Sequence, residues 1–531
     1  GPGDHETKWS ESGVTDFARI FGSERFRFEH DGVLFLGMNS GPIIRMADGH
    51  VAPQDIDWLK RELSAAGPEK PVIIVTHYPL QPGDVDNWYD VTDAIRPYNI
   101  RLVMGGHYHQ YLNLKYDGIP GILCRSNLRD KAPVGGYSLC EVTPDSILIY
   151  EQQIGREPVR RGGYTMTGPN FDKSNTGYPR PDYSVNLEYP QVKEQWLVKC
   201  GYEIFSSPAC WDRKVYVGDD SGTLACYALA DGKELWRFKS GMRIVGTPAA
   251  DDNVVVFGSA DMCIYGLDAT TGRLLWKVQT DAPVLGAVTL HKGVVYIGGS
   301  DHCFRAIDLH SGQAVWTYEG VAGYIETKPL VYDGLVIFGA WDKNLYALDL
   351  KTGREVWKWH DGKPGKFYSA AAVWPVGAHG KVFVADPERV LSAIDVRTGA
   401  TVWRTKESMV RETIGLSEDN RRIYSKTMND SVVCYSATAD HPQKLWASNV
   451  GFGYEHAPSM PVEKDGVVFG STKNGLMFGL DARTGRVLWK HKVGNSLIST
   501  LVPLSKERCL FTATGGEIGL LVIDYKTNKQ K

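Results

Sequence analysis

Tryptophan recurs through the C-terminal part of this sequence at nearly constant intervals. The intervals between successive members are 40, 40, 40, 41, 46, 43 and 43 residues. The members are Trp196, Trp236, Trp276, Trp316, Trp357, Trp403, Trp446 and Trp489. A period of this length indicates stacked supersecondary units that bury a core between neighbours. The sequence therefore predicts a repeat array over residues 194–531.

Most units end in a common turn followed by the tryptophan. Thr271-Gly272 and Thr352-Gly353 are two examples, and an aspartate such as Asp268 stands shortly before the glycine. Glycine takes the positive φ of a hairpin turn, and the aspartate can form an Asx turn. Apolar β-rich runs such as 254–258 precede each turn. Four short strands in a unit of this length predict one blade of an all-β propeller.

The number of blades can be counted from the tryptophan strands. Each of the eight is followed by a set of three strands, and the last set covers about 496–525. Because the Trp196 strand precedes every complete set, we expect it to close the ring against that last set, which makes eight blades. The unit between Trp403 and Trp446 is degenerate, with 436–440 in place of the usual turn, and the count is seven if it forms no blade.

The repeated Thr-Gly-x-x-x-Trp ending resembles the PQQ-like repeat, in which a tryptophan docks between neighbouring blades. No unit carries the Gly-His start and Trp-Asp end of a WD repeat. The resemblance implies a rigid platform for a protein or glycan partner, and a periplasmic or extracellular setting in the cell envelope. No PQQ cofactor is expected, because quinoproteins carry vicinal cysteines and no Cys-Cys pair occurs here. Two roles are open for five aromatic residues of the array: packing between blades, or lining a sugar or peptide site. They are Trp211, Trp341, Trp359, Trp374 and Tyr454.

The first 110 residues contain a second pattern, built on histidine. Gly-His-Tyr-His at 106–109 follows the apolar run 100–104, and His77 follows the apolar run 72–75. Gly-Asp-His-Glu stands at 3–6. Histidines after successive apolar strands lie where open α/β sheets place their sites, and imidazole suits zinc, iron, nickel or manganese. Together the three segments predict metal-dependent hydrolysis.

In this order the three segments resemble the G-N-H-D/E motif, the lone histidine and the G-H-x-H motif of calcineurin-like metallophosphoesterases. Residues 33–40 also look like the strand before that family's L-x-S, and 54–63 like its Q-x-x-W-L helix. The resemblance implies a partial α/β-sandwich domain over 1–155. The family's D-x-H and G-D motifs have no counterpart, so we expect the N-terminal half of the domain to be missing. Either the chain begins inside the domain or it is a natural half-site.

The resemblance also implies roles for individual residues. The implied metal ligands are Asp4, His77, His107 and His109. The first three would share one metal and His109 would belong to another. His5 would protonate the leaving oxygen or steady the transition state, and Glu6 would orient its ring. Because the G-D carboxylate that bridges two metals is missing, we expect weak binding of one Mn-, Fe-, Zn- or Ni-type ion, an idle His109 and low turnover. The loop 81–89 is expected to shape the pocket.

Composition and residue spacing limit the number of domains, the class of partner and the disulfide content. A chain of 531 residues is long enough for two domains, and its net charge of −3 gives no reason to expect nucleic acid. No apolar run approaches the roughly 20 residues of a membrane-spanning helix. Nine cysteines lack a paired spacing, so no disulfide essential to the propeller is expected. Residues 156–193, rich in Gly, Pro, Arg and Tyr, are either a flexible tether or a strap packed on both domains, and we favour the strap.

These patterns lead to two functional hypotheses. The first is a metal-dependent phosphoesterase, acting on phosphomonoesters or phosphodiesters through a dinuclear-type site, whose propeller binds substrate or a partner. The alternative is a non-catalytic binding or scaffold protein that carries a remnant phosphatase domain. D-x-H and G-D motifs encoded upstream of Gly3 would favour the enzyme, and a start codon near Gly1 would favour the scaffold.

Overall fold

The chain forms two compact units. The computed structural model describes residues 1–43, 48–128, 133–360, 362 and 374–526. The first unit comprises Gly1–Ser10 and Val14–Asp182, and the second comprises Glu11–Gly13 and Tyr183–Lys531. None of the helices within the described residues is long and apolar enough to cross a bilayer.

A six-stranded mixed sheet organises the first unit. Its strands are β1 (Phe26–His30), β2 (Val33–Gly37), β3 (Val72–Val75), β4 (Ile100–Gly105), β5 (Leu112–Tyr116) and β6 (Ile119–Leu123). They lie in the order β1-β2-β3-β4-β6-β5. The inner four strands are parallel and the two outer strands are antiparallel to their neighbours. Because parallel strands are covered on both faces, their sequences are almost continuously apolar.

Within the described residues of the first unit, four helices accompany this sheet. They are α1 (Asp4–Lys8), α2 (Thr15–Phe21), α3 (Pro53–Ala66) and α4 (Trp88–Ile95). Helix α3 contains the amphipathic segment 54–63, and it buries Ile56, Leu59 and Leu63 at helical spacing. These side chains join the core that also contains Leu34 and Ile74 of the sheet.

The first unit continues beyond the boundary near residue 155 that the sequence suggested. Strands β7 (Gly136–Val142), β8 (Ser146–Gln153) and β9 (Val159–Thr165) form an antiparallel sheet. Further along, Tyr178 packs edge-on against Trp88, with ring centroids 5.2 Å apart. The presumed linker therefore contains one strand of the first unit and a loop packed on it. Its last part holds α5 (Val185–Glu188), whose Asn186 side chain hydrogen-bonds the backbone of Lys492 within the second unit.

The second unit consists, in the described residues, of eight four-stranded antiparallel sheets. Its first strand in the chain is β10 (Val192–Lys199). One sheet then contains β11 (Ala209–Trp211), β12 (Lys214–Gly218), β13 (Thr223–Ala228) and β14 (Glu234–Lys239). The next contains β15 (Ala249–Asp251), β16 (Val254–Ser259), β17 (Cys263–Asp268) and β18 (Leu274–Gln279). It is followed by β19 (Thr289–His291), β20 (Val294–Gly298), β21 (Phe304–Asp308) and β22 (Ala314–Tyr318).

The remaining sheets repeat this arrangement. They contain β23 (Leu330–Tyr332), β24 (Leu335–Gly339), β25 (Leu345–Asp349) and β26 (Glu355–Trp359), then β27 (Val376–Ala378), β28 (Lys381–Ala385), β29 (Leu391–Asp395) and β30 (Thr401–Thr405). The degenerate unit forms β31 (Gly415–Leu416), β32 (Arg422–Lys426), β33 (Asn429–Ser436) and β34 (Lys444–Tyr454). It precedes β35 (Val462–Lys464), β36 (Val467–Ser471), β37 (Leu476–Asp481) and β38 (Val487–Lys492). The last strands are β39 (Val502–Ser505), β40 (Arg508–Thr512) and β41 (Glu517–Ile523).

The two ends of the repeat array share one sheet. Strand β10 pairs antiparallel with β41, from Val192 opposite Ile523 to Lys199 opposite Glu517. This is the closure that the sequence predicts for the Trp196 strand. The degenerate unit also forms a sheet, although β31 has only two residues. The second unit is therefore a propeller of eight four-stranded blades.

Repeat tryptophans link neighbouring blades at most of the blade junctions. The Trp236 indole packs on Gly272 of the following blade, and its Nε1 atom donates a hydrogen bond to the Ala269 carbonyl over 3.3 Å. Seven of the eight repeat tryptophans donate to the next blade or to the C-terminal segment in this way. Trp403 is the exception, because its buried Nε1 atom has no partner within the described residues. The blade that follows Trp403 is the one with the divergent turn at 436–440.

Candidate metal site

Two neighbouring strands carry the histidines to the same edge of the first sheet. Strand β3 ends two residues before His77, and the parallel strand β4 ends two residues before His107. The Gly106 nitrogen donates a hydrogen bond to the His77 carbonyl over 2.8 Å, which ties the two loops together. His107 and His109 have φ of 69° and 59°. The left-handed conformation is uncommon for residues other than glycine.

Helix α1 adds a carboxylate to this edge. The Asp4 Oδ1 atom lies 2.7 Å from His77 Nε2 and 3.6 Å from His107 Nδ1. Candidate ligand atoms of the three residues all lie within 4.8 Å of one another. All three side chains are partly buried. Three segments that are distant in sequence thus bring one carboxylate and two imidazoles together.

The charge state of this group is set mainly by its neighbours. Burial alone would raise the pKa of Asp4, but contacts with His107 and His77 together outweigh it and hold that pKa well below its usual range. Asp4 therefore stays ionised next to two imidazole nitrogens. A carboxylate with two imidazoles is a donor set that suits divalent first-row metals. We refer to Asp4, His77 and His107 as the Asp-His-His cluster.

A buried serine supports the cluster from behind. Ser40, fully buried just after β2, accepts hydrogen bonds on Oγ from the backbone nitrogens of His77 and Tyr78, over 3.1 and 3.0 Å. The Lys8 ammonium donates to the Tyr78 hydroxyl over 2.6 Å. Burial raises the pKa of Tyr78, and the Asp4 charge adds to that effect, so this hydroxyl stays neutral. The sequence pattern placed residue 40 in a family-like strand but assigned it no role.

The other predicted site residues lie around the cluster. Within the described residues, His109 is not part of the group of clustered ligand atoms, so the structure gathers three of the four predicted ligands. His5 is exposed on α1. The Glu6 carboxylate, which is predicted to orient the His5 ring, accepts the Gly3 backbone N–H on its Oε2 atom over 2.8 Å. The free N–H groups at a helix start attract carboxylates, which explains this contact.

The loop 81–89 reaches the Gly-His-Tyr-His motif through one contact. The Tyr108 hydroxyl donates to both carboxylate oxygens of Asp84, over 2.7 and 2.8 Å. Burial and the hydrogen bond to Asp84 raise the pKa of Tyr108 to about 12. The sequence indicated this loop by its position after His77 alone. No local sequence rule pairs Asp84 with Tyr108, which lies 24 residues further along the chain.

The propeller aromatics mostly belong to its packing. Trp341 and Trp359 are buried, and Trp211 and Trp374 pack against core clusters. Tyr454 is 53% exposed, and its ring is covered by the Lys473 ammonium at 5.2 Å.

Comparison with known proteins identifies the second unit. The family model described as "Outer membrane protein assembly factor BamB" matches residues 193–319, 220–360, 286–439 and 429–531. These matches together cover more than half of the chain. The chain belongs to the BamB family. BamB from Moraxella catarrhalis superposes with a TM-score of 0.52 at 19% identity, over 62% of this chain and all of that one. Saccharomyces cerevisiae Sqt1 gives a TM-score of 0.54 at 11% identity, over 62% of this chain and 99% of that one. At such identities the likeness shows a shared propeller fold.

This BamB-family chain also has a relative of a different kind. Over 111 residues, the chain is 28% identical to the serine/threonine-protein phosphatase CPPED1 of Bos taurus. The match covers 18% of this chain and 36% of the relative. The chain therefore spans about a third of that relative's length.

Proposed function

We propose that the first unit is a metal-dependent phosphoesterase of the calcineurin-like type. The observation that carries this proposal is the convergence of Asp4, His77 and His107 at one sheet edge, with candidate ligand atoms within 4.8 Å. The partial similarity to a phosphatase supports it. The specific phosphoester is left open, and phosphomonoesters and phosphodiesters are both candidates.

Each residue then has a defined task. Asp4, as a carboxylate, and His77 and His107, as neutral imidazoles, would hold one Mn-, Fe-, Zn- or Ni-type ion. Such an ion supplies charge neutralisation for a phosphoryl group and lowers the pKa of bound water. The exposed His5, next to Asp4 on α1, donates a proton to the leaving oxygen. Because His109 stands outside the cluster, we propose one weakly held ion and low turnover for this chain.

Metal titration together with a turnover assay tests this proposal. Calorimetry with Mn²⁺ and Zn²⁺ is expected to give one site per chain, and His77→Ala or His107→Ala is expected to weaken it at least tenfold. His109→Ala is the matched control, since it removes an imidazole from the same loop and is expected to leave stoichiometry unchanged. Hydrolysis of p-nitrophenyl phosphate should be slow and should depend on His77. Two tightly held ions, or turnover unchanged in His77→Ala, would contradict the proposal.

The second candidate function is a binding or scaffold role for the whole chain. Its support is the BamB-family propeller, which makes up most of the described residues. We propose a protein or glycan partner for this propeller, a cell-envelope location and no bound PQQ. A full-length His77→Ala, His107→Ala variant separates the two functions. A cellular phenotype that persists in this variant would support the scaffold, and one that is lost would support the enzyme.

A further inference from the structure

A β-bulge places an arginine inside the first unit, far from the Asp-His-His cluster. In the pairing of β3 with β4, Val72 lies opposite Ile100 and Ile73 lies opposite Leu102, so Arg101 is the extra residue. Bulges are rare in parallel sheets and typically re-aim a side chain. Arg101 is only 5% exposed, so the bulge buries its guanidinium. It stands at the start of β4, whereas His107 follows the end of that strand.

Arg101 lacks the carboxylate that a buried guanidinium usually has. Its Nη1 atom donates to the Gly168 carbonyl over 2.7 Å, and its Nε atom is buried without a hydrogen-bond partner. Within the described residues it forms no ion pair. Arg96 of the same unit also has an unpartnered Nε, but its guanidinium contacts the Asp117 carboxylate at 2.5 Å. The missing counter-ion is therefore what distinguishes Arg101, and a buried charge without one is costly.

The Arg101 side chain lines a cleft large enough for a small organic molecule. The cleft has a volume of about 880 Å³ and is walled by the rings of Tyr98 and Phe171. Clefts of roughly 300–1,000 Å³ are typical of small-molecule sites, whereas an inorganic ion would fill little of this space. The Asn170 side chain donates to the carbonyls of Ile100 and Arg101 over 3.0 Å each, which fixes one wall. The cleft is thus built by interactions within the first unit.

We propose that this cleft binds a small organic anion whose carboxylate or phosphate pairs with Arg101. A guanidinium presents donors in a planar fork that matches either group. The apolar body of the ligand would rest against Tyr98 and Phe171. Glu69, Asp172 and Lys173 also line the cleft, so two carboxylates accompany its two cations, which favours a ligand with a single anionic group over a polyanion. The inference is independent of the phosphoesterase proposal, because Arg101 and His107 lie at opposite ends of β4.

Calorimetric titration of the chelator-treated full chain tests this site. Benzoate and phenyl phosphate are the probes, and acetate and inorganic phosphate show what the head group contributes without a ring. We expect benzoate or phenyl phosphate to bind with one site per chain, and Arg101→Met to weaken the binding about tenfold or more. Binding of benzoate alone would assign a carboxylate ligand, and binding of phenyl phosphate alone would assign a phosphate. Failure of both to bind would overturn the proposal.

Two further measurements distinguish anion binding at Arg101 from binding at the metal cluster and from a purely structural arginine. His77→Ala is the control, and an affinity that falls in His77→Ala but not in Arg101→Met would overturn the proposal by moving the anion to the Asp-His-His cluster. Without ligand, Arg101→Met is expected to melt at or above the wild-type temperature, because it removes a buried unpaired charge. A lower melting temperature without anion binding would make Arg101 a structural anchor for Gly168. Arg101→Lys keeps the charge without the fork and provides the same affinity comparison if the methionine variant does not fold.

Discussion

The Oγ atom of Ser40 accepts a hydrogen bond from the backbone nitrogen of His77 over 3.1 Å. It accepts a second from Tyr78 over 3.0 Å. One buried hydroxyl therefore fixes the backbone from which a candidate metal ligand projects. Groups that orient ligands in this way commonly change metal affinity about 10- to 100-fold when they are removed.

Ser40→Ala should therefore weaken metal binding about tenfold and lower the free energy of unfolding by about 1–3 kcal/mol, since two N–H groups lose their acceptor. Calorimetric metal titration and urea denaturation would measure the two effects. Ser138→Ala is the matched control, because Ser138 Oγ accepts the Arg125 N–H elsewhere in the same unit. The control should lose stability without losing metal affinity. Equal metal affinity in wild type and Ser40→Ala would show that the loop holds its conformation without this hydroxyl.

Alanine substitutions at two turn glycines should separate the cost of a left-handed backbone from the cost of overpacking. Gly272 and Gly293 have similar φ of 72° and 76°. A Cβ atom on Gly272 would lie 2.5 Å from Cε3 of Trp236, whereas one on Gly293 would meet nothing within 4 Å. Gly293→Ala should therefore lower the free energy of unfolding by about 1–2 kcal/mol, the cost of the left-handed conformation. Gly272→Ala should lower it by about 1–3 kcal/mol more because of overpacking. Urea denaturation of both variants would test this, and equal losses would argue against tight docking of Trp236.

Two repeat tryptophans from different blades should differ in how much their indole N–H contributes to stability. Trp276 and Trp403 are both buried, but Trp276 Nε1 donates to the Leu309 carbonyl over 2.8 Å and Trp403 Nε1 has no described partner. Trp276→Phe loses a hydrogen bond as well as volume, whereas Trp403→Phe removes an unsatisfied donor. We expect Trp276→Phe to be more destabilising by about 1 kcal/mol or more, measured by denaturant unfolding. The reverse order would mean that the divergent turn contributes a bond to Trp403.

The aspartates of the turns should make the propeller sensitive to acid. Asp308 Oδ1 accepts the hydroxyl and the backbone N–H of Ser311 over 2.7 and 2.8 Å, and these bonds lower the pKa of Asp308 below its ordinary value. A pKa that is lower in the folded state stabilises the fold above the unfolded value of about 3.9, and that stability is lost as pH falls through the folded value. Asp308→Asn should therefore reduce the melting temperature at pH 7 and have less effect near pH 3. Asp231→Asn is the control, because Asp231 accepts one backbone hydrogen bond, from Lys233. A pH-independent loss in Asp308→Asn would contradict the assignment.

The repeat array was readable from sequence because its determinants are local. Each regular turn, such as the one from Asp268 to Trp276, places its aspartate, glycine and tryptophan within nine residues. The tryptophan of one unit packs on the turn glycine of the next unit, as Trp236 packs on Gly272. The Asp-His-His cluster was partly readable for a related reason, since two of its members follow neighbouring apolar strands. The Asp4 contact with His77 depended on a family resemblance, because no local rule brings residue 4 to that edge.

Other features depend on register and on side-chain competition, which sequence patterns do not encode. The Arg101 bulge is a one-residue shift between β3 and β4. Both strands are largely apolar, so their sequences fit the pairing with or without this shift. The Glu6 carboxylate accepts the Gly3 backbone N–H because α1 begins with free N–H groups. Strand β9, with the sequence Val-Arg-Arg-Gly-Gly-Tyr-Thr, lacks an apolar alternation. Its pairing with β8 therefore extends the first unit past the boundary that composition suggested.

The pairing of Val192 with Ile523 has a consequence for biosynthesis. Chains are made from the N-terminus, and long-range strand pairing is slow because loop closure precedes the stabilising contacts. While the ribosome is still translating the last blade, β10 has no partner and its edge stays exposed. The ring can close only after about 330 further residues have emerged, which is the largest sequence separation that a β-pairing in this propeller can have. Quality control of the nascent chain therefore acts on an open arc of blades, and synthesis of β41 joins the two ends of that arc in one sheet.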